Sequence, residues 1–382
     1  MIAALLLIVS LGLVASDQCS TCGDSSDASV FEFAQSRHNP YTLGLPIGAS
    51  APLFDGCDAF DGKTLLVAIN TIVNIDTLPM IRIWSQELSS LRVIVLLSGL
   101  DSSQRASCID VLGPDVQIIT EPVSTIACAM YQAGSSGSPA SFLIDSAGMI
   151  VYRQVGITNK SAMPLDRVVR AFADSGSIPE DTLLQHILWY GDAVPWPTFD
   201  LVDRNGETVS LDTGRPLVFY SGSYLGRDEA AYNDLIALLD VFGDEVDFVL
   251  RLHAFTEEES LDMWTFAQLA GLDSVYPDWY AMDFDAFLAI SDLPGRRADV
   301  DEQARKAEAD GWRVIYDDFR WLAFSWVLHS QPGVMILDAG GMVVFPFTTY
   351  PVDTSSGVSV SAPGAMAELS EILDQIVEAM QE

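Results

Sequence analysis

The chain contains the stretch Gly137-Ser-Pro-Ala-Ser-Phe-Leu-Ile-Asp-Ser-Ala-Gly-Met-Ile-Val-Tyr-Arg153, which has a clear β-hairpin pattern. It predicts two strands, Ala140 to Ile144 and Met149 to Arg153, joined by the tight-turn sequence Asp-Ser-Ala-Gly. Because proline has no N–H to donate to a sheet, Pro139 must stand at the start of the first strand. We therefore expect a β-hairpin that is introduced by a proline.

The same pattern returns near the end of the chain, in the stretch Gln331-Pro-Gly-Val-Met-Ile-Leu-Asp-Ala-Gly-Gly-Met-Val-Val-Phe345. Pro139 matches Pro332, and Asp145 matches Asp338. A chain of 382 residues is also longer than one ordinary core requires. The sequence therefore predicts two copies of one structural unit.

Charge excludes one class of partner. The chain holds 53 acidic and 19 basic residues, for a net charge of −34. Because phosphate groups would be repelled, we expect no nucleic-acid partner. The acids are scattered and form no calcium-loop pattern, so a well-hydrated surface explains them better than a cation-binding face.

The first 16 residues are short and almost wholly apolar, which is typical of a secretory signal peptide rather than a membrane span. We expect export to a periplasmic or extracellular compartment, with no stable membrane insertion after cleavage. Residues 17–40 are polar and predict a flexible lead-in.

Strands and helices alternate in both copies, which predicts an α/β fold with helices on the faces of a sheet. The predicted strands of the first copy are 65–70, 93–97 and 116–120, and its helices are 77–88, 102–112, 124–132 and 164–173. In the second copy the strands are 217–221, 246–250 and 313–316, and the helices are 228–239, 257–269, 301–309, 321–328 and 366–380.

The predicted domains are 41–175 and 191–382, joined by a linker at 176–190. Between its opening glycine and its hairpin proline, the second copy is 50 residues longer than the first. Most of that insertion falls at about 254–310. Its aromatic residues predict a satellite core, with a binding surface as the alternative; they are Tyr276, Trp279, Tyr280, Phe284 and Phe287.

The pattern Gly48-x-x-Ala51-Pro52-x-Phe54, followed by a strand, a helix and Gly137-x-Pro139-x-x-Phe142-Leu-Ile-Asp145-x-x-Gly148, resembles the redoxin family. That family has the thioredoxin fold and includes peroxiredoxin-like (AhpC/TSA-type) and periplasmic TlpA-like thiol–disulfide proteins. The resemblance implies two tandem thioredoxin-like domains. It also implies that Pro139 and Pro332 are the family's cis-prolines.

By the same resemblance, Ser138 and Gln331, which precede these prolines, flank the family's substrate groove. The second copy is also similar to the thioredoxin domain of iodothyronine deiodinases, through Gly214-Arg-Pro-Leu-Val-Phe-Tyr-Ser-Gly-Ser223. The reactive selenocysteine or cysteine of that family has no counterpart here.

A thioredoxin enzyme needs a thiolate at a helix N-terminus and a second cysteine three residues on. By alignment with the family, Thr71 and Asn74 stand at these positions in the first copy. Leu225 and Asp228 stand there in the second, with a register uncertain by one residue. No register contains a cysteine, so the sequence argues against activity at the usual place.

The chain has five cysteines. Cys19 and Cys22 have redox spacing but fall in the lead-in, so a tail disulfide or thiol pair is the first interpretation and a redox arm the alternative. For Cys57, Cys108 and Cys128 we expect one structural disulfide and one buried thiol.

The four histidines show no metal-ligand spacing; they are His38, His186, His253 and His329. We therefore expect no metal and no cofactor. The leading hypothesis is a non-catalytic binding or scaffold protein with an unidentified protein or peptide partner. The alternative is a thiol–disulfide oxidoreductase that uses Cys19 and Cys22 or the cysteines of the first domain.

Overall fold

The computed structural model describes residues 44–69, 78–133, 140–155, 159–180, 190–223, 228–253, 256–269, 283–291, 293–317, 332–354 and 359–381, with the single positions 182, 184, 185, 188, 322, 325 and 326. These residues form two sheets of five strands each, flanked by helices, and a small third sheet of two strands.

The first domain is built on a sheet with the strand order β3-β2-β1-β4-β5. Its strands are β1 Lys63–Ile69, β2 Leu91–Leu97, β3 Gln117–Ile119, β4 Ala140–Ile144 and β5 Ile150–Val155. β1, β2 and β3 are parallel, whereas β4 is antiparallel to both of its neighbours. β1, β2 and β4 are almost continuous apolar runs, because both faces of the sheet are covered.

Helices cover both faces of this sheet. They are α1 Leu78–Glu87, α2 Ser102–Leu112, α3 Val123–Met130 and α4 Asn159–Ser175. One core contains Trp84 of α1 and Phe172 of α4, and the other contains Cys128 of α3. The first domain is therefore a three-layer α/β structure.

The second domain repeats this plan with the strand order β10-β9-β6-β7-β8. Its strands are β6 Leu217–Ser221, β7 Asp247–Leu252, β8 Arg313–Tyr316, β9 Gly333–Leu337 and β10 Val343–Thr349. Two short strands, β11 Val352–Asp353 and β12 Val360–Ser361, form the small extra sheet. The described helices are α5 Glu229–Phe242, α6 Glu257–Leu269, α7 Phe284–Ser291, α8 Leu293–Ala309 and α9 Ala365–Gln381.

The two sheets have the same order of parallel and antiparallel strands, so the chain contains two tandem thioredoxin-like α/β domains. Each domain also opens in the same way. The N–H of Gly48 donates to Ile150, and the N–H of Gly191 donates to Val343, each in the second strand of its hairpin. The repeat and fold class predicted from the sequence are therefore confirmed, while the predicted domain limits stay predictions.

An aspartate shapes the turn of each repeated hairpin. Asp145 accepts hydrogen bonds from the N–H groups of Ala147 and Met149. Asp338 accepts the corresponding pair from Gly340 and Met342. Such side-chain bonds to the backbone two residues on stabilise a turn locally, which is why the sequence predicts these hairpins well.

Most predicted elements lie within a few residues of the observed ones, and two helices begin earlier. α4 begins at Asn159 rather than at Pro164, and α8 begins at Leu293 rather than at Asp301. The pair Pro294-Gly295 resembles a helix breaker, but proline is also tolerated in a first turn, where no helical N–H is needed. Most of the predicted helix 321–328 lies outside the described residues.

The insertion of the second domain packs on the first domain. Helix α6 contacts α4. Phe287 of α7 is only 4% exposed and belongs to the core of the first domain, with Trp264 and Phe284 packed against it. For the described Phe284 and Phe287, a role in core packing holds, but the predicted satellite core is wrong, because both residues pack in the main core of the first domain. Tyr276, Trp279 and Tyr280 lie outside the described residues.

Within the part of the chain that the structure describes, no helix has the length and apolarity to cross a membrane.

Candidate functional site

The parallel strands of each sheet end at one edge, which we call the carboxyl edge. Ligands of α/β proteins bind at this edge, and the redoxin resemblance implies an active site there. Strand pairing aligns the two edges residue by residue. Ala68 pairs with Leu96 and Ala140, and Ser221 pairs with Arg251 and Gly333.

The expected cysteine positions follow these aligned residues, and their register stays a prediction. They are Thr71 and Asn74 in the first copy, and Leu225 and Asp228, or their neighbours by one residue, in the second. None of these positions is a cysteine. Of the predicted site residues, Asp228 and Pro332 are described, while Cys19, Cys22, Thr71, Asn74, Ser138, Pro139, Leu225 and Gln331 lie outside the described residues.

Asp228 lies directly before helix α5 and is 5% exposed. Its Oδ2 accepts a hydrogen bond from the N–H of Ser223 at 3.0 Å, and its carbonyl accepts one from the Tyr220 hydroxyl at 3.4 Å. A carboxylate at a helix N-terminus is favoured by the helix dipole, as a thiolate would be. Asp228 thus binds the loop backbone, and its oxygen atoms cannot exchange disulfides.

A buried ion pair lies at the carboxyl edge of the second domain. Arg251 Nε donates to Asp317 Oδ2 at 2.6 Å, and these side chains are 3% and 0% exposed. Arg251 Nη1 donates to Ser221 Oγ at 3.1 Å, and Asp317 Oδ1 accepts the N–H of Leu322 at 2.8 Å. The network links the ends of β6, β7 and β8.

The corresponding positions in the first domain are apolar or exposed. Ala68 and Leu96, which match Ser221 and Arg251, are 1% and 0% exposed. Glu121, which matches Asp317, forms a partly exposed ion pair with Arg105 at 3.2 Å. The two carboxyl edges thus differ in chemistry while keeping one backbone plan.

Sequence reasoning missed this network. Arg251 and Asp317 are 66 residues apart, and no local pattern marks them. The signal that could have found them is the contrast between the copies, because Arg251 interrupts an apolar strand where the first copy has Leu96.

Pro332 is buried, and its carbonyl accepts the N–H of Tyr350 at 2.8 Å. The ring of Phe347 lies against Gly333, where an added Cβ would clash with it. Pro332 is therefore packed against its own hairpin strand. Among the described residues, the peptide bond between Glu121 and Pro122 is cis. The peptide bonds before Pro139 and Pro332 each involve a residue outside the described ranges, so the expected cis-prolines stay predictions.

The expected disulfide in the first domain is wrong. Cys57, Cys108 and Cys128 are all free and buried. Cys108 lies in one core and the other two lie in the core on the opposite face of the sheet. Sequence spacing cannot show whether two sulfur atoms reach bonding distance, whereas the fold separates Cys108 from the others.

Burial makes these three thiols poor nucleophiles. It raises the pKa of Cys57 and of Cys108. It raises the pKa of Cys128 from 9.0 to about 11, although a hydrogen bond with Ser98 opposes the rise. At pH 7 a thiol with such a pKa is ionised in only about one molecule in 10,000. Disulfide exchange needs the thiolate, so these three cysteines are suited to core packing and not to catalysis.

No group of three or more His, Cys, Asp or Glu among the described residues could hold a metal ion. His253 follows β7 and is half-buried. The other three histidines lie outside the described residues.

No family model and no curated protein matches this chain. Similar solved structures are thioredoxin-fold proteins, at low identity. An uncharacterised conserved protein from Geobacillus kaustophilus is 16% identical, with a TM-score of 0.33 over 51% of this chain and 85% of that one. A peroxiredoxin-like protein from Aquifex aeolicus is 15% identical, with a TM-score of 0.25 over 30% of this chain and 77% of that one.

The thioredoxin domain of a thiol–disulfide oxidoreductase from Bacteroides vulgatus is 13% identical, with a TM-score of 0.27 over 49% of this chain and 99% of that one. At such identities and TM-scores, the likenesses carry no argument about activity. The fold assignment rests on strand order and pairing, and function must be argued from the site.

Proposed function

We propose that this chain is an exported, non-catalytic protein with two thioredoxin-like domains, which binds a protein or peptide partner. The observation that carries the proposal is the absence of a cysteine from the loop before the first helix of each domain. A thioredoxin scaffold without a thiolate at that place cannot form the mixed disulfide that exchange requires.

Two further observations support the proposal. The three cysteines in the described part of the chain are buried thiols, and their pKa values are raised. In the second domain, the buried Arg251–Asp317 pair and the buried Asp228 lie at the carboxyl edge. These groups can hold the edge rigid, but they offer no sulfur.

The partner is a protein or peptide in this proposal, and the net charge of −34 disfavours nucleic acid. Export is part of the proposal because of the short apolar stretch at residues 1–16. N-terminal sequencing of the protein secreted by an expression host tests it, and an intact apolar stretch on cell-retained protein would contradict it.

A second candidate is disulfide exchange by Cys19 and Cys22, which their spacing favours. In that function this pair of thiols would work without the usual site.

Reduction of insulin by dithiothreitol separates the two functions. The non-catalytic proposal predicts no acceleration by the wild-type protein, with a thioredoxin as positive control. Acceleration that is lost in the Cys19→Ser/Cys22→Ser variant would establish the second candidate. Acceleration that survives this variant would place a reactive thiol among Cys57, Cys108 and Cys128 and would contradict both.

A further inference from the structure

A cleft of about 630 Å³ lies within the insertion of the second domain, between the start of α6 and helices α7 and α8. This volume is within the range of ordinary ligand pockets. Leu293 at the cleft is buried, and Leu288 is half-buried. The cleft therefore has an apolar component that could accept an aliphatic chain.

Carboxylates dominate the charged side chains of this cleft. Glu257, Asp285 and Asp301 line it together with a single cation, Arg297. Three negative charges and one positive charge leave a net charge of −2, so the cleft favours a cationic group.

Two of the carboxylates are available for a ligand. Glu257 and Asp285 are exposed, and neither has a hydrogen-bond or ion-pair partner in the structure. Asp301 is instead fixed by the hydroxyl of Tyr316, which donates to its Oδ1 at 2.5 Å. Free carboxylates near one anchored carboxylate can accept a new ion pair without breaking an existing one.

The cleft lies beside the carboxyl edge of the second domain. Glu257 follows β7, and Tyr316 is the last residue of β8. Helix α8 also contacts the loop after β6, because Ser223 Oγ lies 3.1 Å from Gln303 Oε1. This is the side of the sheet at which ligands of α/β proteins bind.

We propose that the cleft binds a lysine or arginine side chain, flanked by apolar residues, in an extended segment of a partner protein. A long basic side chain can lay its aliphatic stem on Leu288 and Leu293 while its charge stays at the exposed carboxylates. The open rim, with Glu257, Asp285 and Arg297 exposed, suits a side chain that enters from a surface-bound peptide. The inference rests on the proposed binding function and specifies its partner.

Fluorescence anisotropy with three labelled peptides tests this inference on the full chain. The first is acetyl-Gly-Leu-Lys-Leu-Gly-amide, and the others replace lysine with norleucine or glutamate. We expect the lysine peptide to bind most tightly, and we expect an increase in salt from about 0.05 M to about 0.5 M to weaken its binding.

The Glu257→Gln/Asp285→Asn variant should weaken binding of the lysine peptide between about threefold and thirtyfold. This is the loss of affinity expected when two exposed ion pairs are removed. The Asp240→Asn/Asp244→Asn variant is the matched control. It removes the same charge from exposed positions outside the cleft and should bind as the wild type does. Ala289→Trp keeps every charge but fills the cleft, and it should also weaken binding.

Undetectable binding of the lysine peptide would overturn the inference, as would equally tight binding of the norleucine or glutamate peptide. Unchanged affinity in either cleft variant would also overturn it. The insulin assay tests the proposed function separately. Catalysis in that assay would refute the non-catalytic function, whether or not the cleft binds the lysine peptide.

Discussion

Replacement of Asp317 by asparagine would leave Arg251 charged and buried without a carboxylate. Asparagine keeps an oxygen that can accept the N–H of Leu322, so the change removes the charge while retaining the shape. Loss of one partner from a buried pair costs about 3–5 kcal/mol. Arg251 is 3% exposed, and its Nη2 atom is already without a partner, so little compensation is available.

Urea unfolding followed by tryptophan fluorescence measures this cost. Trp312 and Trp326 are 3% and 2% exposed in the second domain, whereas Trp84 is 1% exposed in the first. If the domains unfold in separate transitions, only the transition of the second domain should move to lower urea.

A double-mutant cycle separates the pair from its surroundings. Arg251→Met should also destabilise the second domain, because it leaves Asp317 buried and charged. The double variant Arg251→Met/Asp317→Asn should cost less than the sum of the single variants by about 2 kcal/mol or more. Glu308→Gln is the control, because its ion pair with Arg204 is about one-third exposed on both sides. It should leave stability nearly unchanged. Additive single costs, or a cost for Asp317→Asn below about 1 kcal/mol, would refute this reasoning.

Three other changes have defined outcomes. Thr71→Cys/Asn74→Cys should create insulin reductase activity, because it restores thiols before a helix in a retained scaffold; an inactive but folded variant would contradict this. Cys128→Ala should reduce the alkaline loss of stability: the folded thiol stays neutral to about pH 11 while the unfolded one ionises near 9.0. The wild type should therefore lose about 2–3 kcal/mol more than the variant between these pH values in urea titrations, and parallel pH profiles would contradict this. Phe287→Ala should cost about 3–5 kcal/mol and lower the thermal midpoint, because Phe287 is buried in the core of the first domain; the control Ile126→Ala, which is 58% exposed, should change it little.

The features that the sequence predicts well are local ones. The turns at Asp145 and Asp338 depend on side-chain bonds to the next few backbone groups. Strand β6 and helix α2 begin and end at the predicted residues because their boundaries carry local signals. In α2 that signal is Asp101, which accepts the N–H groups of Ser103 and Gln104 as a cap.

Features that depend on distant residues are the ones the sequence does not reveal. The Arg251–Asp317 pair joins positions that meet only when β7 and β8 align. Phe287 packs in the core of the first domain rather than on the sheet of the second. The aromatic composition of the insertion does not indicate which of the two domains it will contact. The expected disulfide failed for the same reason, because Cys108 and Cys128 face opposite sides of one sheet.

The sequence predicts that the candidate site lacks its cysteines, but it does not predict how the residues of the site pack. Alignment of the copies shows that no cysteine stands at the expected positions. It does not show that a buried carboxylate, Asp228, lies before helix α5, or that Pro332 is covered. Those facts follow from packing across the carboxyl edge.

The central claim is that the two thioredoxin-like domains contain no reactive thiol. The measurement that tests it most directly is the thiolate absorbance at 240 nm of the Cys19→Ser/Cys22→Ser variant, titrated from neutral to alkaline pH. The three remaining thiols are buried and have raised pKa values, so we expect no thiolate signal at neutral pH and a rise only at more alkaline pH than for a free cysteine. A thiolate that titrates with a pKa below about 8 would contradict the account, because it would show an activated cysteine in the first domain, which holds all three remaining cysteines.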